Sequence, residues 1–366
     1  MIPQCNPLLS YLKEKAGLDR AVQSVLEGGW YILGKEVQRF EKDFAAETGA
    51  RYCVSCGNGT DAIELALRSM GIGQGDKVVT VANTAVATVA GIERTGATAC
   101  FADVDDTFTM APDSLRAVLR AVSGVKAVVV VHLFGTPADM TAISKIADEY
   151  GIPIVEDCAQ AHGAKYGERT CGTIGQCGCF SFYPTKNLGA FGDGGAIITS
   201  SEERYHKLLS LRQYGWERKF ISECSGLNSR LDEIQAAILS VKLPGLKAMN
   251  QQRAAIASRY TEGFSNICEI ITPCIPDNVT PVYHQYVIRC KQRDRLQQYL
   301  KEKGIGTAIH YPVAIHLQPA YVSRPLAVSL PVTEQLNKEI LSLPMYPELT
   351  GNEVSYIIQT VRGFFR

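Results

Sequence analysis

From residue 52 to residue 155 the chain repeats one unit: a short apolar run, a turn, then apolar residues at helical spacing. Residues 52–55, 77–81, 98–101, 127–131 and 153–155 read as strands. Between them, Ile63, Ala66, Leu67 and Met70 share one helix face, and 84–94, 113–122 and 138–150 also read as helices. This alternation leaves few solutions, because parallel neighbours need a crossover and the crossover helices must cover the sheet. The run 127–131 is rich in valine, as in strands buried on both faces. The expected fold is therefore α/β, a large domain whose mostly parallel sheet is sandwiched by helices.

The flanks extend this plan. Leu18, Ala21, Val22, Val25 and Leu26 mark a helix that stops at Gly28-Gly29, and Val37, Phe40 and Phe44 mark a second. The aromatic loop between them contains Trp30, expected to pack at a domain edge, and Tyr31. Further on, 179–183 and 196–199 read as strands, and 202–212 and 232–243 as helices. Pro244-Gly245 is a break, and 246–264 is a long polar helix. Then come a strand at 286–290, a helix at 294–303, a strand at 307–311 and a closing helix at 352–364. A chain of 366 residues exceeds what one core usually holds. The expected division is a large unit, 1–245, and a smaller α+β C-terminal domain, 246–366.

Charge narrows the partners. Lys+Arg and Asp+Glu both number 37, so no basic excess points to nucleic acid or an anionic membrane, and zero net charge favours self-association. The longest apolar run, 125–132, is strand-sized and broken by Lys126, so no membrane span is expected. Residues 1–7 lack the charged and apolar regions of a signal peptide, which predicts a cytoplasmic protein with its 12 cysteines reduced. Cys53-x-x-Cys56 and Cys177-x-Cys179 carry four thiols. Cys53 and Cys179 fall in strand-like runs, where cysteine is a small buried hydrophobe, and no metal site is expected.

Four stretches can carry chemistry. Lys186 sits between the apolar run 179–183 and a glycine-rich stretch with Gly189, Gly192, Gly194 and Gly195. Such a lysine is either a hairpin-loop surface residue or an amine of depressed pKa able to form a Schiff base. Gly57-Asn58-Gly59-Thr60 lies at a strand-to-helix turn, where free amides and the helix dipole suit a phosphate. Ala62 breaks the dinucleotide-binding glycine pattern there. Glu156-Asp157-Cys158-Ala159-Gln160-Ala161-His162-Gly163 follows a buried strand, so Asp157 either caps a turn or faces the ligand crevice. Gly226-Leu227-Asn228-Ser229-Arg230-Leu231-Asp232 leads into an apolar helix. A phosphate cradle, a carboxylate and a Schiff-base lysine together are what pyridoxal phosphate requires.

With these blocks, and with Gly29-Trp30-Tyr31-Ile32-Leu33-Gly34, the chain resembles the DegT/DnrJ/EryC1/StrS family of sugar aminotransferases, of fold-type I architecture. The resemblance implies that Lys186 carries the cofactor and moves the proton. It implies that Asp157 pairs with the pyridinium nitrogen, that Gln160 contacts the ring hydroxyl, and that Gly59, Thr60 and Ser181 bind the phosphate. Asn228 would reach the phosphate from the other subunit of a homodimer, and Tyr31, Arg230 and His310 would line the substrate pocket. One block departs: where many relatives carry a ring-stacking aromatic, this chain has Ala85 and Val86. The implied reaction is transfer of an amino group, from L-glutamate, to a nucleotide-linked keto-6-deoxyhexose, leaning towards C3 of a dTDP-3-keto sugar, in deoxyaminosugar biosynthesis for lipopolysaccharide or glycosides. The alternatives are C4 amination of an NDP-4-keto sugar and a cyclitol aminotransferase. A sugar dehydratase of this fold would carry histidine in place of Lys186, and a non-catalytic regulator would not need the three blocks intact.

Overall fold

The computed structural model describes residues 1–322 and 329–366. Its helices are α1 (Pro7–Gly28), α2 (Lys35–Thr48), α3 (Gly59–Ser69), α4 (Val86–Glu93), α5 (Pro112–Ala121), α6 (Met140–Tyr150), α7 (Glu202–Leu211), α8 (Glu233–Lys242), α9 (Leu246–Phe264), α10 (Arg293–Glu302), α11 (Pro331–Glu339) and α12 (Gly351–Phe364). The strands are β1 (Tyr52–Cys56), β2 (Lys77–Val81), β3 (Thr98–Ala102), β4 (Val125–Val131), β5 (Ile154–Asp157), β6 (Lys165–Tyr166), β7 (Arg169–Thr170), β8 (Cys177–Ser181), β9 (Gly195–Thr199), β10 (Trp216–Arg218), β11 (Ile221–Ser222), β12 (Val279–Thr280), β13 (Tyr286–Arg289) and β14 (Ile340–Leu343).

Seven strands form the central sheet in the order β1-β9-β8-β5-β4-β2-β3. The ladders from β8 to β3 are parallel, and β9 runs antiparallel to both β1 and β8. The expected α/β sandwich is therefore present. Two apolar layers cover the sheet. One packs α3 and α4 against its first face through Leu65, Leu67 and Ile92; the other packs α5 and α6 against the second through Leu115 and Ile143. Val128, Val129 and Val130 are fully buried between the layers, as their β-branched run requires.

A third cluster joins α2 to the strands that lead into the Lys186 loop. Phe44 stands edge-on to Phe180 and Phe182 with ring centroids 5.0 and 5.4 Å apart, and Phe40 stands edge-on to Phe182 at 5.2 Å. Burial of these four rings in this geometry fixes the base of that loop. The C-terminal elements α9, α10 and α12 enclose the β13–β14 ladder in their own apolar cluster around Tyr260, Tyr286 and Leu343.

Three readings differ from the structure. Residues 307–311 are not a strand: Ala308 makes a single bridge to Ser342, and the strand beside β13 is β14. The short run at Ile340 and the preceding helix α11 carry no strong turn signal and were not expected. Trp30 does not pack at an edge but stands 68% exposed, its Nε1 donating to the Ile32 carbonyl at 2.8 Å. Finally, α4 begins at Val86, with Ala85 at its N-cap, two residues later than expected.

Candidate active site

The carboxyl ends of five strands meet at one edge of the sheet, where open α/β folds bind ligands. Beyond β1 lies the turn Gly57-Asn58, beyond β2 lie Thr84 and α4, and beyond β4 lies His132; β5 ends at Asp157 and β8 at Ser181. They enclose a cavity of ≈ 250 Å³. Gly59, Thr60, Asp157, Gln160, Ser181 and Lys186 all line it, so six of the predicted positions come together from three separate segments.

Lys186 is held from below. Its backbone N–H donates to the Tyr183 carbonyl at 2.9 Å, and Ala190 N–H donates to the Phe182 carbonyl at 2.8 Å. Asn187 next to it donates to Asn250 Oδ1 and to the Val282 carbonyl, which pins the loop to α9. Among the described residues the Lys186 ammonium has no hydrogen-bond partner. Burial lowers its pKa to about 8, and the carboxylate of Asp157 works against that fall. Three histidines nearby stay neutral. Burial and then the charge of Lys186 bring His162 down to about 3 and His310 to about 4, and push His284 well down.

Asp157 is fixed by two donors. Thr88 on α4 donates its hydroxyl to Oδ2 at 2.8 Å, and Ala159 N–H donates to Oδ1 at 3.1 Å. Thr84 and Thr88 hydroxyls lie 2.9 Å apart, so the chain of bonds continues towards the cavity rim. Gln160 Oε1 accepts Phe134 N–H at 2.7 Å, and its Nε2 donates to the Tyr311 hydroxyl at 3.2 Å. The Phe134 backbone stands at φ 59, and Gly135 beside it presses against the Gln160 carbonyl, where a Cβ would come within 3.0 Å. Beneath Asp157, the buried Glu156 accepts N–H groups of Gly172, Ile174 and Gly175 and bonds His132 Nε2 at 3.0 Å. Ala138 N–H donates to His132 Nδ1 at 3.1 Å, which leaves Nε2 to carry the proton that faces Glu156. His132, Glu156 and Cys171 lie close enough to share a metal ion, but Glu156 already has four donors on its two oxygens.

The phosphate cradle is built on α3. Asn58 caps the helix by accepting Asp61 N–H at 2.9 Å, while the N–H groups of Gly59 and Thr60 have no acceptor among the described residues. Gly59 is needed there: a Cβ would stand 2.7 Å from Ser181 Cβ. Two free amides, a helix N-terminus and two hydroxyls suit a dianionic phosphate. With an unpartnered amine and a fixed carboxylate in the same cavity, these residues fit pyridoxal phosphate.

Four predicted residues lie outside the cavity lining. Asn228 is exposed, Arg230 is half-buried, and Tyr31 is 49% exposed with its hydroxyl on the Leu26 carbonyl. His310 bonds Ser342 Oγ through Nδ1 at 2.8 Å and adjoins Tyr311. Conversely, Thr88 and Tyr311 were missed by sequence reasoning. Thr84 and Thr88 fall four residues apart at the start of the expected helix 84–94, a signal that was available although Thr84 precedes α4; Tyr311 arrives from 151 residues away and left none.

The model of the DegT/DnrJ/EryC1/StrS aminotransferase family matches residues 13–362. The chain is 42% identical to a "pleiotropic regulatory protein" of Geobacillus stearothermophilus, covering 100% of this chain and 99% of that one. It is 40% identical to the dTDP-3-amino-3,4,6-trideoxy-alpha-D-glucose transaminase of Streptomyces venezuelae, covering 99% and 95%. Among solved structures it superposes on S. venezuelae DesV, crystallised with a ketimine intermediate, with a TM-score of 0.97, 39% identity and coverage of 100% and 98%.

Proposed function

The chain belongs to the DegT/DnrJ/EryC1/StrS aminotransferase family, and from that premise we propose how its site works and what it aminates. It is a pyridoxal-phosphate-dependent sugar aminotransferase. The reading taken here is amination at C3 of a dTDP-linked 3-keto-6-deoxyhexose, with L-glutamate as donor. The relative that transaminates a dTDP-3-amino sugar at near full-length coverage supports it. The single observation that carries the chemistry is the Lys186 amine: unpartnered, with a pKa of about 8, and in one cavity with Asp157 and the α3 N-terminus.

Gly59, Thr60 and Ser181 would hold the phosphate, Asp157 the ring nitrogen, Gln160 the ring hydroxyl, and Lys186 the aldehyde carbon. Bound there, the cofactor supplies an electron sink for a carbanion next to nitrogen. The residues do the rest. Lys186 Nζ, half neutral at pH 8, offers a lone pair to a carbonyl carbon or to a C–H proton. Asp157, its two oxygens fixed by the Thr88 hydroxyl and the Ala159 amide, would accept a hydrogen bond from the ring nitrogen and favour its protonated form. His310 stays neutral beside the cavity and, with Tyr31 and Arg230, forms the side that meets the sugar.

The same reading makes the enzyme a cytoplasmic homodimer with shared sites, in which Asn228 completes the partner's phosphate cradle. Asn228 is exposed, and its neighbours Tyr214, Phe220 and Ile221 are 41%, 74% and 47% exposed, with Trp30 and Ile32 on the other flank. Large apolar side chains gathered beside a site mark a surface that another chain covers. Among the described residues no helix is long and apolar enough to cross a membrane. The division into a cofactor-binding unit, 1–245, and a smaller unit, 246–366, is supported by the separate apolar cluster of the C-terminal elements. The experiment that tests the reading is a panel of NDP-ketosugars with glutamate, read by NMR of the product. Amine at C3 of a dTDP sugar is the expected result; amine at C4, or turnover of a free cyclitol alone, would overturn the substrate assignment.

A further inference from the structure

Ser229 sits where the two halves of a shared site would meet. It is 2% exposed, and its hydroxyl is fully engaged. Gly57 N–H donates to it at 2.9 Å, and it donates to Asp61 Oδ2 at 2.6 Å. Those two bonds grip the turn 57–61 from both ends, the turn that presents the free amides of Gly59 and Thr60. Asp61 is held from its other side by Arg94, whose Nη1 donates to Oδ1 at 2.7 Å. The Ser229 backbone is fixed as well: its N–H donates to the Arg212 carbonyl at 3.0 Å, and Arg212 Nη1 donates to the Ser55 carbonyl at 2.9 Å.

The residue before it does the opposite. Asn228 makes an antiparallel bridge to Gln213, so the chain is extended there and successive side chains point to opposite sides. Ser229 points in, to its own cradle, and Asn228 is exposed. The exposed Tyr214 is bonded through its N–H to the Leu227 carbonyl, and the exposed Ile32 is bridged to Asp232. The loop therefore emerges between two apolar shoulders, and any chain that covers them meets Asn228.

We propose that Ser229 is a positioning residue that couples the two active sites of the dimer: by gripping the phosphate turn of its own chain it sets Asn228 against the phosphate of the partner's site. This rests on the shared-site reading above. Ser229 thereby bears on both cradles, directly on its own turn through Gly57 and Asp61 and, through the placement of Asn228, on the partner's.

Mixed dimers separate this role from a local one. One chain carries Lys186→Ala, so the absorbance of lysine-bound pyridoxal phosphate reports only the other chain's site. Ser229→Ala is then placed either in the reporting chain or in the opposite chain, and the apo dimer is titrated with pyridoxal phosphate. Loss of a buried hydrogen bond predicts about tenfold weaker binding in both arrangements. Weakening only when Ser229→Ala is in the reporting chain, or in neither, would overturn the coupling. Asp61→Asn in the opposite chain keeps the shape of the grip and weakens its charge, so it follows the same pattern with a smaller loss and serves if Ser229→Ala does not fold. Asn228→Ala in the opposite chain identifies which idea fails. If it leaves affinity unchanged, the shared site itself is wrong. If it weakens binding while Ser229→Ala there does not, the shared site stands and the coupling falls.

Discussion

At the scale of residues, the site is organised by how burial sets charge. Lys186 has a folded pKa of about 8, against roughly 10.4 for an unfolded lysine. Below pH 8 both states hold the proton, and the folded state bears the full cost of a buried charge that Asp157 only partly offsets. As pH rises from 8 towards 10.4 the folded protein releases its proton first, and the cost fades. Lys186→Met should therefore raise the melting temperature of the apo protein by a few degrees at pH 7, and the gain should shrink at pH 9.5. Equal gains at both pH values would contradict a depressed pKa. The same value governs loading: the rate at which apo protein acquires its lysine-bound absorbance should rise with pH and level off above about 8. Lys186, Asp157 and Thr60 were legible in the sequence because each sits in a short local pattern. Thr88 and Tyr311 were less so, since their roles exist only once α4 and the 310–311 segment are packed over the cavity.

Single elements carry the next level. The first turn of α3 has space for glycine and nothing larger, because a Cβ on residue 59 would stand 2.7 Å from Ser181 Cβ. Gly59→Ala should leave the fold intact and weaken pyridoxal phosphate binding by at least tenfold in an absorbance titration, as the turn or β8 must shift. On α4, Thr88→Val removes the donor to a buried carboxylate at nearly constant volume. Affinity for the cofactor should fall by several-fold in an absorbance titration, since the carboxylate loses the donor that orients it; unchanged affinity would contradict that role. The alternation of runs made the seven-stranded sheet readable, because strands buried on both faces are apolar throughout. The antiparallel course of β9 was not readable, since an apolar run has no direction. The ladder beside β13 was misplaced for a related reason: residues 307–311 and Ile340–Leu343 are both short and apolar, and only packing against α10 and α11 chooses between them.

For the whole molecule, the exposed aromatic shoulders and Asn228 predict an obligate pair. Sedimentation should give twice the chain mass, and Asn228→Ala should weaken cofactor binding without dissociating the dimer. A monomer with full transaminase activity would contradict both. The larger plan was visible from length and alternation alone; the role proposed for Asn228 in a partner's site came only through the family resemblance, because one chain's residues do not themselves state which exposed side chains meet a second copy.

The cysteines give that molecule a further property. Eight of the twelve are buried, Cys53, Cys56, Cys158, Cys171, Cys177 and Cys179 around the sheet and Lys186 loop among them, while Cys224, Cys268 and Cys274 are exposed. Burial pushes the Cys53, Cys158 and Cys179 thiols well up, and a protonated thiol is a poor nucleophile. A maleimide added to the native enzyme should therefore label the exposed three quickly and then stall. A later addition located at Cys53, Cys158 or Cys179 marks a moment when the sheet came apart, so slow alkylation mapped by mass spectrometry becomes a clock for global opening, built into the protein without a probe.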